Sequence, residues 1–292
     1  MKLKKSTLFY YSLAEMPINI ALFPILVFIP KFYTGEMGVS LALAANIILV
    51  VRIFDVFTDP IVGYINDRTN TRFGKRRPWI VTATPLLMIS IYMLFIPPEG
   101  AGAFHLFSWM FLLSIATTML IIPYYAWGAE LSPDYNERSR ITGWRSISGV
   151  VGSLSAQLIP TIALIFFGLG GSANVLYIVG VASIIIMPLC IFLTVTKVSE
   201  TNNYAQSNTS PIKGLKIMLE NSPFKRLIMA FMFGGIAFSI TIPLYLFFIT
   251  YVLKAEEMAI YMLTFFYITN IFAVPFWVWL SKKIGKHKAY IC

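Results

Sequence analysis

Residues 55–79 read DVFTDPIVGYINDRTNTRFGKRRPW, and the two halves of this stretch obey different rules. The first half continues an apolar run that starts near Leu41, yet it carries two carboxylates, Asp55 and Asp59. The second half is polar and basic, with Arg68, Arg72, Lys75, Arg76 and Arg77 crowded around Gly74. An apolar run of roughly 20 residues is the length that crosses a bilayer as a helix. A basic cluster where such a run ends marks its cytoplasmic side. Pro78 then stands where the first turn of the next helix accepts proline.

The rest of the chain repeats this alternation. Apolar residues make up 58% of the 292 residues and charged residues 12%, with mean hydropathy +0.74; a soluble domain carries about 25% charged residues. Lipid offers the backbone no hydrogen-bond partners, so continuous apolar runs of this kind are helices. The net charge of +10 is not a nucleic-acid signal, because the bases fall in short clusters in alternate connections. Lys2, Lys4 and Lys5 precede the first run, Arg138, Arg140 and Arg145 follow the fourth, and Lys282, Lys283, Lys286 and Lys288 follow the eighth. That is the positive-inside pattern of a multi-pass membrane protein with a cytoplasmic N-terminus. Cys190 and Cys292 suit neither a disulfide framework nor a metal site.

The expected spans lie near 8–31, 41–65, 78–97, 104–130, 143–169, 174–196, 224–252 and 258–281. They group as an N-terminal six-helix bundle over 1–196, a linker over 197–222 and the first part of a second bundle over 223–292. The linker holds a polar stretch, TNNYAQSNTSP from Thr201, and an amphipathic one, Ile212–Leu219, suited to a membrane surface. Pro17, Pro24 and Pro30 predict a kinked first span, with Glu15 and Asn19 beside the first kink. The sequence Lys283-Ile-Gly-Lys-His-Lys echoes Arg72-Phe-Gly-Lys-Arg-Arg six spans later, as parallel repeats in transporters do. Lys288–Cys292 then reads as the start of a ninth span, so the chain is expected to be C-terminally truncated.

Asp55 and Asp59, four apart, project from one helix face together with Arg52. Ionisable groups at membrane depth are costly and face a cavity or a partner. Two carboxylates on one face make a cation or proton site, and the competing arrangement pairs Arg52 with one of them. Asp67 and Arg68 end the second span where an acidic group can pair with arginines of a neighbouring helix end and close the inner side. Glu130 and Arg138 suit the same gating role, while Tyr124, Tyr125 and Trp127 offer an aromatic platform for a sugar ring. No phosphate loop, nucleophile triad or metal-spaced cluster appears, so the chain does not read as an enzyme.

The segment from Asp55 to Trp79, with PYYAWGAELSPDYNERSRITGWRS from Pro123, resembles the glycoside–pentoside–hexuronide cation symporters, the melibiose-permease-like branch of the major facilitator superfamily. The resemblance implies an all-α membrane protein with about eight helices present of an expected twelve, working by alternating access. It implies that Asp55, Asp59, Thr58 and Thr118 bind the coupling ion, H+ or Na+, with no other cofactor. It places Arg145 and Tyr125 in the substrate site, with Glu15 and Asn19 the polar residues nearest the expected acidic position of the first span. Ile121 stands where the branch carries a further aspartate, and Thr58 where it carries an asparagine. The expectation is a plasma- or inner-membrane symporter of a sugar, glycoside or related solute, contacting membrane lipid and no nucleic acid. The alternatives are a truncated, non-transporting remnant or interaction protein, or a lipid or drug carrier of the same superfamily.

Overall fold

The computed structural model describes residues 2–168, 172–200, 211–248, 252–254 and 259–291. In order the helices are α1 (Lys5–Ser12), α2 (Glu15–Gly35), α3 (Leu41–Arg68), α4 (Arg77–Phe95), α5 (Ala103–Glu130), α6 (Tyr135–Phe167), α7 (Ser172–Lys197), α8 (Pro211–Glu220), α9 (Ser222–Phe247), α10 (Ala259–Ile284) and α11 (Lys286–Ile291). Among the described residues there is no strand beyond an isolated bridge between Thr71 and Gly74. Six stretches there are long and apolar enough to cross a membrane: Lys5–Gly35, Leu41–Arg68, Arg77–Phe95, Ala103–Glu130, Tyr135–Phe167 and Ala173–Lys197. They coincide with the first six expected spans. The seventh and eighth fall on α9 and α10, and Ile212–Leu219 lies within α8. The polar linker from Thr201 to Ser210 and parts of the turns Gly168–Ser172 and Leu253–Glu257 lie outside the described residues.

Local chemistry sets the helix ends. The first span is interrupted at Leu13 and Ala14, just ahead of Pro17. Proline lacks the N–H that would bond residue i−4, and its ring crowds that carbonyl, here Leu13. The break therefore falls one turn before the proline. Ser40 caps α3 by accepting from the Leu43 amide at 3.3 Å. Asp134 caps α6, accepting from the amides of Asn136 and Glu137 at 2.8 Å each, which carries that helix back to Tyr135 rather than 143. Its carboxyl is held below the ordinary range by the Glu137 amide against the weaker effect of desolvation, with the Asn136 amide adding to it.

The chain forms two compact units, Met1–Asn202 with Tyr267–Cys292, and Asn203–Phe266. In the first, α2 packs against α6 and α7, α4 against α5 and α7, and α3 along α5. Small residues set the α2–α6 spacing. A Cβ on Gly152 would collide with the Met16 carbonyl oxygen, and one on Gly149 would lie 3.0 Å from Asn19 Nδ2. The α1–α5 contact is built from aromatic rings. Tyr11 and Tyr124 stack at 4.7 Å and each hydroxyl donates to the other's backbone carbonyl at 2.9 Å. In the second unit α8 packs against α9, whose start is capped by Asn221 Oδ1 accepting from the Phe224 amide at 3.2 Å.

Candidate functional site

A cavity of about 260 Å³ opens between α2, α3 and α5. Its polar wall is Arg52, Asp55, Asp59, Ser114, Thr117 and Thr118, and its apolar wall includes Leu22, Ile25, Met110 and Ile121. Thr118 Oγ1 donates to Asp59 Oδ1 at 2.7 Å, and Ser114 Oγ donates to Asp55 Oδ1. Asp55 Oδ2 in turn takes Arg52 Nη1 at 3.3 Å. Asp55 thus has a guanidinium and a hydroxyl, whereas Asp59 has a hydroxyl alone among the contacts described. Thr117 Oγ1 is buried on the same wall with no hydrogen-bond partner.

Asp55, Asp59 and Thr118 are brought together as the sequence implies. Thr58 is not brought to them: its hydroxyl donates to the Phe54 carbonyl of its own helix at 3.2 Å, and it does not line the cavity. Arg52, expected among gating residues, sits instead in the cavity wall as the partner of Asp55. Ser114 was missed. It precedes Thr118 by the interval that separates Asp55 from Asp59, a match that singles it out only once the register of α5 against α3 is known.

The second group, Glu15, Asn19, Tyr125 and Arg145, is also assembled. Tyr125 donates to Glu15 Oε1 at 3.0 Å, the Arg145 guanidinium stands 3.8 Å over the Tyr125 ring, and Arg145 Nε lies 3.9 Å from Glu15 Oε2. Asn19 Nδ2 donates to the Glu15 backbone carbonyl at 2.9 Å. Glu15 is buried, and its Oε2 has no hydrogen-bond donor but shares an ion pair with Arg145.

A third cluster surrounds the α3–α4 turn. Arg76 pairs with Glu130 Oε1 at 2.6 Å and with Asp67 Oδ1 at 2.8 Å, and also donates to Asn66. Burial lowers the Arg76 pKa, but the hydrogen bond and charge of Glu130, with those of Asp67, outweigh it and hold the guanidinium above its ordinary value. Glu200 Oε1 accepts from the amides of Lys75 and Arg76 at 2.8 and 2.6 Å. Gly74, with φ +109, leaves room for that carboxylate, which a Cβ would strike. Of the expected gating residues, Asp67 and Glu130 meet through Arg76. Arg68 stacks on Tyr64 at 3.9 Å, and Arg138 Nε donates to the Ser132 carbonyl at 3.0 Å, so neither joins the cluster.

A carboxylate-bearing cavity in an apolar helical bundle, with a charge-paired turn at one end of its helices, is the layout of a membrane transporter. Residues 10–292 match the MFS/sugar transport protein family, and the chain belongs to it. It is accordingly an integral, multi-pass membrane protein of a transporter family rather than an enzyme. It is 27% identical over 302 residues to the sodium-dependent lysophosphatidylcholine symporter 1 of Mus musculus, covering 90% of this chain and 56% of that protein. It is 28% identical over 295 residues to the isoprimeverose transporter of Lactiplantibacillus pentosus, covering 97% and 60%. Against the inner membrane symporter YicJ of Escherichia coli (strain K12) the figures are 23% over 271 residues, 89% and 57%. The chain thus spans somewhat more than half the length of these relatives.

Proposed function

We propose that this chain carries the cation site and part of the solute site of a symporter that moves a sugar, glycoside or related organic solute, driven by H+ or Na+. The observation that carries this reading is the pair of carboxylates, Asp55 and Asp59, each bonded to a hydroxyl of α5 in the wall of one cavity between apolar helices. A carboxylate at membrane depth is costly without a partner, and a hard cation or a proton is a partner of the fitting chemistry. Glu15, Asn19, Tyr125 and Arg145 are the solute-facing group: a carboxylate, an amide, a phenol and a guanidinium held together, which offer acceptors and donors to the hydroxyls of a solute. The Asp67–Arg76–Glu130 cluster serves as the inner gate, with the N-terminus cytoplasmic in a plasma or inner membrane and the chain dividing into a bundle over 1–196, a linker over 197–222 and the start of a second bundle over 223–292.

A second reading, an amphiphilic lipid as solute, is favoured by one feature. Leu22, Ile25, Met110 and Ile121 line the same cavity as the carboxylates, so part of its wall suits a hydrocarbon. Uptake into proteoliposomes under imposed Na+ or proton gradients separates the readings when glycosides and lysophospholipids are offered in parallel. Uptake that ignores both gradients, and is unchanged in Asp55→Asn and Asp59→Asn, removes the symport reading.

A further inference from the structure

The two hydrogen bonds that join α3 to α5 share one register. Ser114 donates to Asp55 and Thr118 to Asp59, and each pair is separated by 59 residues. Donor and acceptor therefore both advance four residues, about one turn, along helices running in the same direction. Each hydroxyl gives its hydrogen to a carboxylate and keeps its oxygen lone pairs for the cavity, which both residues line. A carboxylate with a hydroxyl held beside it is an oxygen-ligand set for a hard cation. Thr118 accounts for only half of this arrangement.

From this register we infer that Ser114 is a positioning residue of the cation site, setting the affinity of the site for a metal cation through Asp55. The inference rests on the cation-coupled reading and goes beyond it, naming a residue on α5 that the carboxylates' own motif does not contain. Asp55 has two partners for its oxygens, the Arg52 charge at Oδ2 and the Ser114 hydroxyl at Oδ1. The Arg52 side chain is 60% exposed, so its long arm is free to move aside. Ser114 is the shorter and more fixed of the two. It aims Asp55 Oδ1 and presents its own oxygen at the same wall. Thr117 Oγ1, buried there without a partner, leaves further hydroxyl capacity beside the rung.

The test is equilibrium binding of Na+ and Li+ to the purified protein in detergent, by calorimetry, for wild type, Ser114→Ala, Ser114→Cys, Ser114→Thr and Asp59→Asn. Loss of an outer partner of a metal site typically weakens affinity about 10- to 100-fold, and Ser114→Ala should weaken Na+ binding by on the order of 10-fold on that scale. Ser114→Cys keeps nearly the same volume but replaces a hard oxygen with a soft sulfur, so it should lose Na+ affinity while its thermal midpoint stays at the wild-type value. Ser114→Thr should restore binding. An effect of Ser114 that were only packing would move the thermal midpoint without changing the Na+-to-Li+ preference. Wild-type affinity in both Ser114→Ala and Ser114→Cys, with binding lost in Asp59→Asn, overturns the role of Ser114 and leaves the symport reading standing. Absence of Na+ and Li+ binding in the wild type overturns the role of Ser114 and leaves only the proton-driven form of the symport reading, which the uptake assay tests.

Discussion

Arg76 Nη2 stands 2.6 Å from Glu130 Oε1, tying the start of α4 to the end of α5 across 54 residues of chain. The Arg76 side chain is 4% exposed and that of Glu130 24%, so this is an ion pair largely withdrawn from water. Taking one partner from such a pair leaves the other charge without compensation. Glu130→Ala should therefore destabilise the protein by roughly 3 kcal/mol. Asp67→Asn touches the same guanidinium from a side chain that is 65% exposed, and should cost at most about 1 kcal/mol. Thermal unfolding in detergent of the two variants checks the ranking, and equal losses contradict it.

Arg52 occupies Asp55 with a charge that belongs to the protein itself. A cation arriving at Asp55 competes with it, so removing it should help the cation. Arg52→Gln is expected to bind Na+ more tightly than wild type, and Asp59→Asn to lose cation dependence altogether. Calorimetric titration with Na+ reads both. Weaker binding in Arg52→Gln would mean that the guanidinium holds Asp55 in place rather than competing for it.

At Gly152 in the α2–α6 contact, the atom a Cβ would strike is the backbone oxygen of Met16, which cannot swing away. Gly152→Ala should push the helices apart at a cost of about 1–3 kcal/mol. Gly35→Ala, with nothing within 4 Å of the added carbon, should leave stability near the wild-type value. The comparison of their unfolding midpoints tests whether the spacing of these helices is set by side-chain volume.

Tyr125 joins Glu15 and Arg145 through its hydroxyl and its ring separately. Tyr125→Phe keeps the ring and drops the donor to Glu15, while Tyr125→Leu loses both. If the ring carries solute stacking, uptake should survive the first change with a modest rise in KM and fail in the second. An equal loss in both variants would assign the role to the hydroxyl.

The spans were legible in the sequence because length and apolarity fix them with no reference to neighbours. The pairing of Asp55 with Asp59 was legible too, since spacing along one helix decides which groups share a face. Ser114 was not. The fourth span offers Ser108, Ser114, Thr117 and Thr118, and which of them meets a carboxylate depends on the register between two helices, a property of the packed bundle. Thr58 failed for the converse reason: a threonine inside a helix can satisfy its hydroxyl on its own backbone, as this one does. Arg76 was hidden among bases that topology already explained, and Glu200 lies beyond the end of α7 with no pattern to mark it. The break at Leu13 and Ala14 was readable as a proline effect, but displaced by the one turn through which the proline ring acts.

The shared 59-residue offset of the two rungs makes the α3–α5 interface a stepped one. Sliding either helix along the other by less than a turn breaks both hydroxyl–carboxylate bonds together and replaces neither. A shift of one full turn, about 5.4 Å, would offer Asp59 to Ser114 or Asp55 to Thr118 and restore one bond while leaving the other carboxylate without a hydroxyl. Movement at this seam is therefore a notched slide between discrete positions rather than a smooth drift. The number of carboxylates that lack a hydroxyl, and so of oxygens left to take another partner, changes with each notch.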